Sequence, residues 1–356
     1  MNLLDINQRQ VLTVGPRYKP PKGGIAQTMY TYEQQVFNEF RYVENSTHGS
    51  RIAKLWCLFS ALARFVWICA WDRNIKIVHI HTASNFSFRR SMWFVNLARL
   101  CGKKTILHIH GGGFKKFYNA NKNSVRKSLM RCDVVVALSR QWKDFFTVEV
   151  GLPNVQVINN VVPPPSCVNI EHDNYVHVLY LGLISQKKGV FDLIETVGKH
   201  IEQFENLRIH LAGTGEEKQI QKMHSLIDHY GLDNLIAFEG WVDGEKKDKL
   251  LSICNVFILP SYIEGLPISI LEAMAARMAI LATNVGGIPS IVKNQVNGFL
   301  FNPGDQEQMA RLLKKMMNEP DMLNEMREQS FQMVQPFFPE AVAEQLACLY
   351  YGLLNE

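Results

Sequence analysis

The chain has 356 residues, 47% of them hydrophobic and 20% charged, with a formal net charge of +5. That length exceeds what a single hydrophobic core usually serves, so two folded domains are expected, and the composition excludes a disordered or low-complexity chain. Seven cysteines (57, 69, 101, 132, 167, 254 and 348) with no C-x-x-C pair exclude an obvious disulfide framework and point to a reducing compartment, the cytoplasm.

The chain reaches a strand-like Val11-Leu12-Thr13-Val14 with no basic and apolar leader before it, so no signal peptide is expected. Residues 1–165 then alternate short apolar strands with helices. Strands are expected at 11–14, 76–81, 104–109, 133–137 and 155–158, with helices near 26–40 and at 52–70, 88–100, 122–130 and 139–147. Apolar strands bounded by helices imply a doubly wound parallel sheet.

Within this half, Gly23-Gly24-Ile25 links a strand to a helix and permits backbone to approach a phosphate or sugar. The segment 55–71 (LWCLFSALARFVWICAW) lies at the lower limit of membrane-spanning length, roughly 17 residues. It is interrupted by Arg64 and runs straight into a strand. A buried or domain-surface helix is the first expectation, and an interfacial membrane helix the second. His79/His81 and His108/His110 each share a strand face, but each pair offers a metal only two ligands, so no metal is expected. His110, released from its strand into Gly111-Gly112-Gly113, is the functional candidate. The H-G-G-G run also occurs in esterase oxyanion loops, but the chain has no G-x-S-x-G to supply a nucleophile.

Val161-Val162-Pro163-Pro164-Pro165-Ser166 breaks the periodicity and is taken as a linker. Alternation resumes with strands at 176–182, 207–212, 235–238, 255–259 and 279–282 and helices at 189–203, 216–230, 245–252, 267–276 and 306–317. The segment 339–353 is amphipathic and is expected to pack back toward the first domain. The expected organisation is therefore 1–165, 166–338 and a final helix in 339–356, with ligands at the carboxyl ends of the strands.

Three strand-to-helix junctions of the second half carry the chemistry. Gly182 to Gly189 holds Lys187 and Lys188, whose charge suits a diphosphate leaving group. Gly213-Thr214-Gly215 resembles a dinucleotide fingerprint, but Lys218 stands where the third glycine belongs, which disfavours a nicotinamide enzyme. In Pro260 to Ala275, Glu264 lies beside Gly265, Leu266 and Pro267, the proline is expected at the first helical position, and Glu272 follows about a turn and a half into the helix. Amides of that first turn favour an anion, and the two carboxylates are expected to accept hydrogen bonds from sugar hydroxyls.

Taken in order, these segments resemble the retaining glycosyltransferases of family 4, with the GT-B architecture of two Rossmann-like domains facing a cleft. The resemblance rests on Gly23-Gly24-Ile25, the His110 loop, Cys132 through Ser139, Gly182 through Gly189, Gly213-x-Gly215, Phe238-Glu239-Gly240, Glu264-x7-Glu272, Val285-Gly286-Gly287-Ile288-Pro289 and Asn297-Gly298. It implies transfer of a sugar from a nucleotide diphosphate sugar with retained configuration and neither metal nor other cofactor. By the same resemblance Lys188 steadies the diphosphate, Glu272 holds the ribose, and Glu264 with Gly265 and Leu266 holds the donor sugar and phosphate. His110 reaches the donor sugar and Gly24 lies against the phosphate or acceptor. The chain departs from the family at Leu183, where arginine is common, and at Ser290, where glutamate is frequent.

The charge is uneven. Residues 1–165 hold 23 Lys and Arg against 8 Asp and Glu, a net +15, and residues 166–356 hold 15 against 25, a net −10. Basic pairs such as Arg89-Arg90 and Lys115-Lys116 are spread out rather than gathered in an arm, so nucleic acid is not the expected partner. A lipid-linked or polysaccharide acceptor, with peripheral contact to the inner face of an anionic membrane through residues 1–165, is the leading expectation. A soluble transferase acting on a small metabolite and a non-catalytic sugar-nucleotide-binding protein are the alternatives.

Overall fold

The computed structural model describes residues 8–21, 23–47, 49–164 and 174–355. The linker positions Pro165 and Ser166, and Cys167, lie outside the described residues. The chain divides into two compact units, one formed by Met1–Pro163 with Pro336–Glu356 and one by Pro164–Gln335.

The first unit is built on a sheet of β1 (Val11–Pro16), β2 (Tyr42–Ser46), β3 (Ile77–Thr82), β4 (Lys104–Ile109), β5 (Val134–Ala137) and β6 (Val155–Val157), in the order β2-β1-β3-β4-β5-β6. Every pairing is parallel. Apart from the edge strand β2 and the histidines of β3 and β4, these strands are apolar on both faces because helices cover both. Leu12, Val14, Val78, Ile80 and Leu107 join one core with the helices Arg51–Trp71 and Phe86–Leu100. Val11, Ile77, Ile106, Val134 and Val136 join the other, closed by Val342, Leu346 and Tyr350 of the helix Pro339–Asn355.

The second unit carries β7 (Val176–Leu181), β8 (Leu207–Ala212), β9 (Ile236–Gly240), β10 (Val256–Leu259), β11 (Ala279–Thr283) and β12 (Gly298–Phe301), in the order β12-β11-β10-β7-β8-β9 and again all parallel. Strand order reverses between β7 and β10, the place where doubly wound sheets leave a crevice at their carboxyl ends. The expected architecture of two Rossmann-like units is observed.

Several local expectations are corrected. The helix expected over 26–40 is an α-helix only over Gly24–Thr31, followed by a π turn at Tyr32–Val36. Phe37 is extended, with its ring 5.7 Å from Tyr32 and 6.5 Å from Tyr350, so packing on the sheet ends the helix. The chain then forms β2, whose polar alternation Tyr-Val-Glu-Asn-Ser hid it. The helix expected over 139–147 closes in a π turn at Phe145–Glu149, and the one over 189–203 stops at Lys199. The helices Phe114–Ala120 and Pro320–Val334 and the strand β12 had no expectation.

The returning helix is tied to the sheet by a polar contact. The Tyr350 hydroxyl lies 2.7 Å from His79 Nδ1, both groups fully buried. Replacing Tyr350 by Phe keeps the ring and strands the imidazole nitrogen. The expected loss is about 1–3 kcal/mol of stability, read as a lower urea midpoint at unchanged m-value.

Candidate functional site

In the second unit, three loops meet where the strand order reverses. After β7, the Gly182 amide donates to the Ala212 carbonyl (3.0 Å) and the Ile184 amide to the Thr214 carbonyl (2.8 Å), stitching this loop to the one after β8. The approach is so close that a Cβ on Gly213, whose φ is +152°, would stand 1.8 Å from the Gly182 oxygen. Gly189, at φ +71°, opens the helix Val190–Lys199 against the β10 loop, and a Cβ there would stand 2.0 Å from the Pro260 oxygen. Glycine is required at both positions.

Those contacts fix Lys188. It ends the short turn Gln186–Lys188, and its neighbour Lys187 accepts the Tyr262 amide at 2.9 Å through its carbonyl. The Lys188 ammonium donates to Glu264 Oε1 at 2.6 Å, and Glu264 is only 8% exposed. Glu272 is the fifth residue of the helix Ile268–Ala275 and accepts from Lys247 Nζ at 2.6 Å. Both carboxylates are therefore engaged by ammonium groups rather than standing open for hydroxyls. Burial makes each pair consequential, since removing one partner leaves a charge uncompensated in a poorly solvated place. Pro267 caps the helix instead of starting it: its ψ of 121° is extended, and no side chain caps the helix. Gly265, Leu266 and Gly286-Gly287 crowd the same turn, the Gly287 amide donating to the Gly265 carbonyl at 2.6 Å.

Around this centre, Tyr262 donates to Asp192 Oδ2 at 2.7 Å, and that hydrogen bond pushes the phenol up to about 12. Tyr180 donates to the Leu183 carbonyl at 2.6 Å, and burial raises its phenol further still. Glu239 lies 3.0 Å from His210 Nδ1 and 3.1 Å from Lys246 Nζ. Burial works against its charge, but those hydrogen bonds outweigh it and hold the carboxyl below its usual range. Lys187 is exposed, and among the described residues its ammonium has no partner. Leu183, 55% exposed, supplies no cation to the loop.

In the first unit, Gly24 starts the helix that follows β1, and His110 follows β4. The period of two puts His79, His81, His108 and His110 on one sheet face, and the parallel register pairs His81 with His108. The rings form a ladder: His79 Nε2 lies 3.2 Å from His108 Nδ1, and His81 Nδ1 lies 2.9 Å from His110 Nε2. Burial lowers all four, His79 and His110 to about 3 and the other two well below the usual value, so all are neutral at pH 7. His79, His81 and His108 place ligand nitrogens within 4.8 Å of one another. Neutral imidazoles are the ligating form, but His79 has both nitrogens engaged by Tyr350 and His108, so holding an ion there requires giving up those bonds. The sequence spacing revealed each pair but not their union, which follows only from the β3–β4 register. Lys247 was missed for a similar reason: 25 residues from Glu272, it has no motif of its own.

Residues 168–333 match the model for glycosyl transferases group 1, and residues 11–164 match the model for Glycosyltransferase Family 4. Curated relatives include the alpha-D-kanosaminyltransferase of Streptomyces kanamyceticus, 26% identical over 49% of this chain and 45% of the relative. Another is the Escherichia coli K12 protein WcaL, named as a colanic acid biosynthesis glycosyltransferase, 26% identical over 39% of this chain and 35% of the relative. Such matches span between 35% and 60% of the curated relatives' length. Among solved structures, HepE of Anabaena in complex with UDP has the same fold, with a TM-score of 0.76 at 16% identity over 96% of this chain and all of that one.

Two outcomes follow from this geometry. Gly213→Ala forces the loops after β7 and β8 apart, and is expected to cost about 1–3 kcal/mol of stability, measured as a lower urea midpoint on the purified protein. The buried histidines bind fewer protons folded than unfolded at pH values between about 3 and 6.5. Their contribution to stability is thus complete above about 6.5 and is lost progressively as the pH falls. The urea midpoint is expected to drop from pH 7 to pH 5, and to drop less in His79→Gln.

Proposed function

Because the chain belongs to the family 4 glycosyltransferases, its two halves matching the group 1 and family 4 models in turn, we propose that it moves a hexosyl-type sugar from a nucleotide diphosphate sugar to a lipid-linked or polysaccharide acceptor. The observation that carries this reading is the Lys188–Glu264 pair, 2.6 Å apart where the loops after β7 and β10 meet. In this reading the donor diphosphate draws the Lys188 ammonium, while the released Glu264 carboxylate accepts hydroxyls of the donor sugar. Glu272, oriented by Lys247, takes the ribose hydroxyls. Amides at the start of the helix Ile268–Ala275 add the positive end of its dipole, and Lys187 adds a second cation where Leu183 supplies none. By the family resemblance we assign His110, neutral and held by His81, the role of a hydrogen-bonding partner of the donor sugar.

The chemistry is substitution with retention and no metal. The bond from the anomeric carbon to the diphosphate oxygen breaks, the acceptor oxygen bonds to the same face, and the acceptor proton passes to the departing diphosphate. Lys188 stabilises the charge that develops on that leaving group, so neither glutamate is required as a nucleophile. UDP in HepE favours a uridine nucleotide, and WcaL's name favours a surface polysaccharide as the product class. A second reading, a small-molecule acceptor, is favoured by the kanosaminyltransferase. We place the enzyme in the cytoplasm at the inner face of the membrane, in keeping with six free cysteines among the described residues.

A panel of UDP, GDP and ADP sugars tests the proposal by thermal shift and slow donor hydrolysis. One nucleotide is expected to stabilise the protein, and its sugar to be released. Glu264→Ala and Lys188→Ala are each expected to lower that rate by about 10²- to 10³-fold. Binding that leaves every donor intact with every acceptor offered supports a sugar-nucleotide-binding protein instead.

A further inference from the structure

The structure assigns a membrane-docking face to the helix Arg51–Trp71. Trp56, Phe59, Trp67 and Trp71 on this helix are between 61% and 73% exposed. At about 100° per residue these four, with exposed Ile52, Leu55 and Val66, fall within an arc of roughly 160°. The opposite side, with Ala61, Phe65 and Cys69, is buried in the first unit's core. The helix is thus apolar on both sides, whereas a surface helix of a monomeric domain turns charges outward. The neighbouring helix Phe86–Leu100 adds exposed Phe86 and Trp93.

Length and composition alone would let this helix cross a membrane, and only 22% of its most apolar window is buried. Its packing argues for lying flat. Phe65 is fully buried with its ring 5.2 Å from that of Phe94, so a crossing would tear it from the core. A helix buried on one side and rich in tryptophan on the other sits at the depth of the lipid headgroups.

Charge selects the occupant. Between Glu44 and Asp133 the only acidic residue is Asp72, against sixteen Lys and Arg, and Asp72 pairs with Arg41 at 2.8 Å. Arg51, Lys54 and Arg64 lie on the helix itself, and the long stems of such side chains let their charges reach headgroups while the rings enter the acyl boundary. A second copy of the chain would set this basic surface against itself. The partner is therefore an anionic bilayer, and the contact rests on the proposed membrane-held acceptor for its purpose: it holds the first unit on the surface where that acceptor lies.

The test is sedimentation of the full chain with phosphatidylcholine vesicles, with and without phosphatidylglycerol, alongside Trp56→Glu/Phe59→Glu and a nucleotide-binding assay. The wild type is expected to pellet with the anionic vesicles, to show blue-shifted tryptophan emission there, and to be released by salt. The double variant is expected to partition about tenfold less or weaker still, with nucleotide binding unchanged. Equal pelleting of variant and wild type overturns the proposal, as does a wild type that ignores anionic vesicles. A wild-type dimer in analytical ultracentrifugation that the variant abolishes also overturns it, making the face a self-association surface. Nucleotide binding is read separately, so failure of the transferase reading is not confused with failure of this one.

Discussion

Parallel pairing governs both units. A parallel strand cannot be followed by a tight hairpin, so each strand hands the chain to a crossover and all strands deliver their carboxyl ends to one edge of the sheet. Glycine loops, helix starts and charged side chains gather at that edge as a consequence of topology. In the second unit the reversal of order between β7 and β10 parts two neighbouring crossovers. Lys188 and Glu264, 76 residues apart, meet at that parting.

What meets there is electrostatically provisional. Lys188 neutralises Glu264 and Lys247 neutralises Glu272, each pair largely withdrawn from water. An anion arriving at such a site exchanges one ionic partner for another and need not pull a lone charge out of solvent. The backbone beneath is far less adjustable: at Gly213 and Gly189 the neighbouring carbonyls leave no room for a side chain. The glycine cradle thus sets the position of the backbone, while the two ammonium groups set the charge presented above it.

Much of this was legible in the sequence because the site lies on loops whose residue types are dictated by backbone geometry. Glycines at 182, 189 and 213, and glutamates at 264 and 272, mark strand-to-helix junctions however the chain is arranged in space. Side-chain partners were not legible. Nothing local ties Lys247 to Glu272, and the four-histidine ladder exists only because the β3–β4 register aligns two distant H-x-H runs. The edge strand β2 escaped notice because an edge needs fewer apolar residues, and its Glu44 and Ser46 read as loop. The helix drawn over 26–40 failed because packing of Phe37 on Tyr32 and Tyr350 outweighs local helical preference.

The helix Pro339–Asn355 closes one face of the first sheet, although the entire second unit precedes it in the chain. On the ribosome, therefore, the strands β1 to β6 emerge early, but one apolar face, covered in part by Met29, Tyr32, Val36 and Phe37, stays partly open until everything through Asn355 has been made. Residues 164–335, continuous in sequence, have all their own core before that moment. The half of the protein synthesised first is the half completed last, and the surface left open in the interval is the one a chaperone would need to guard.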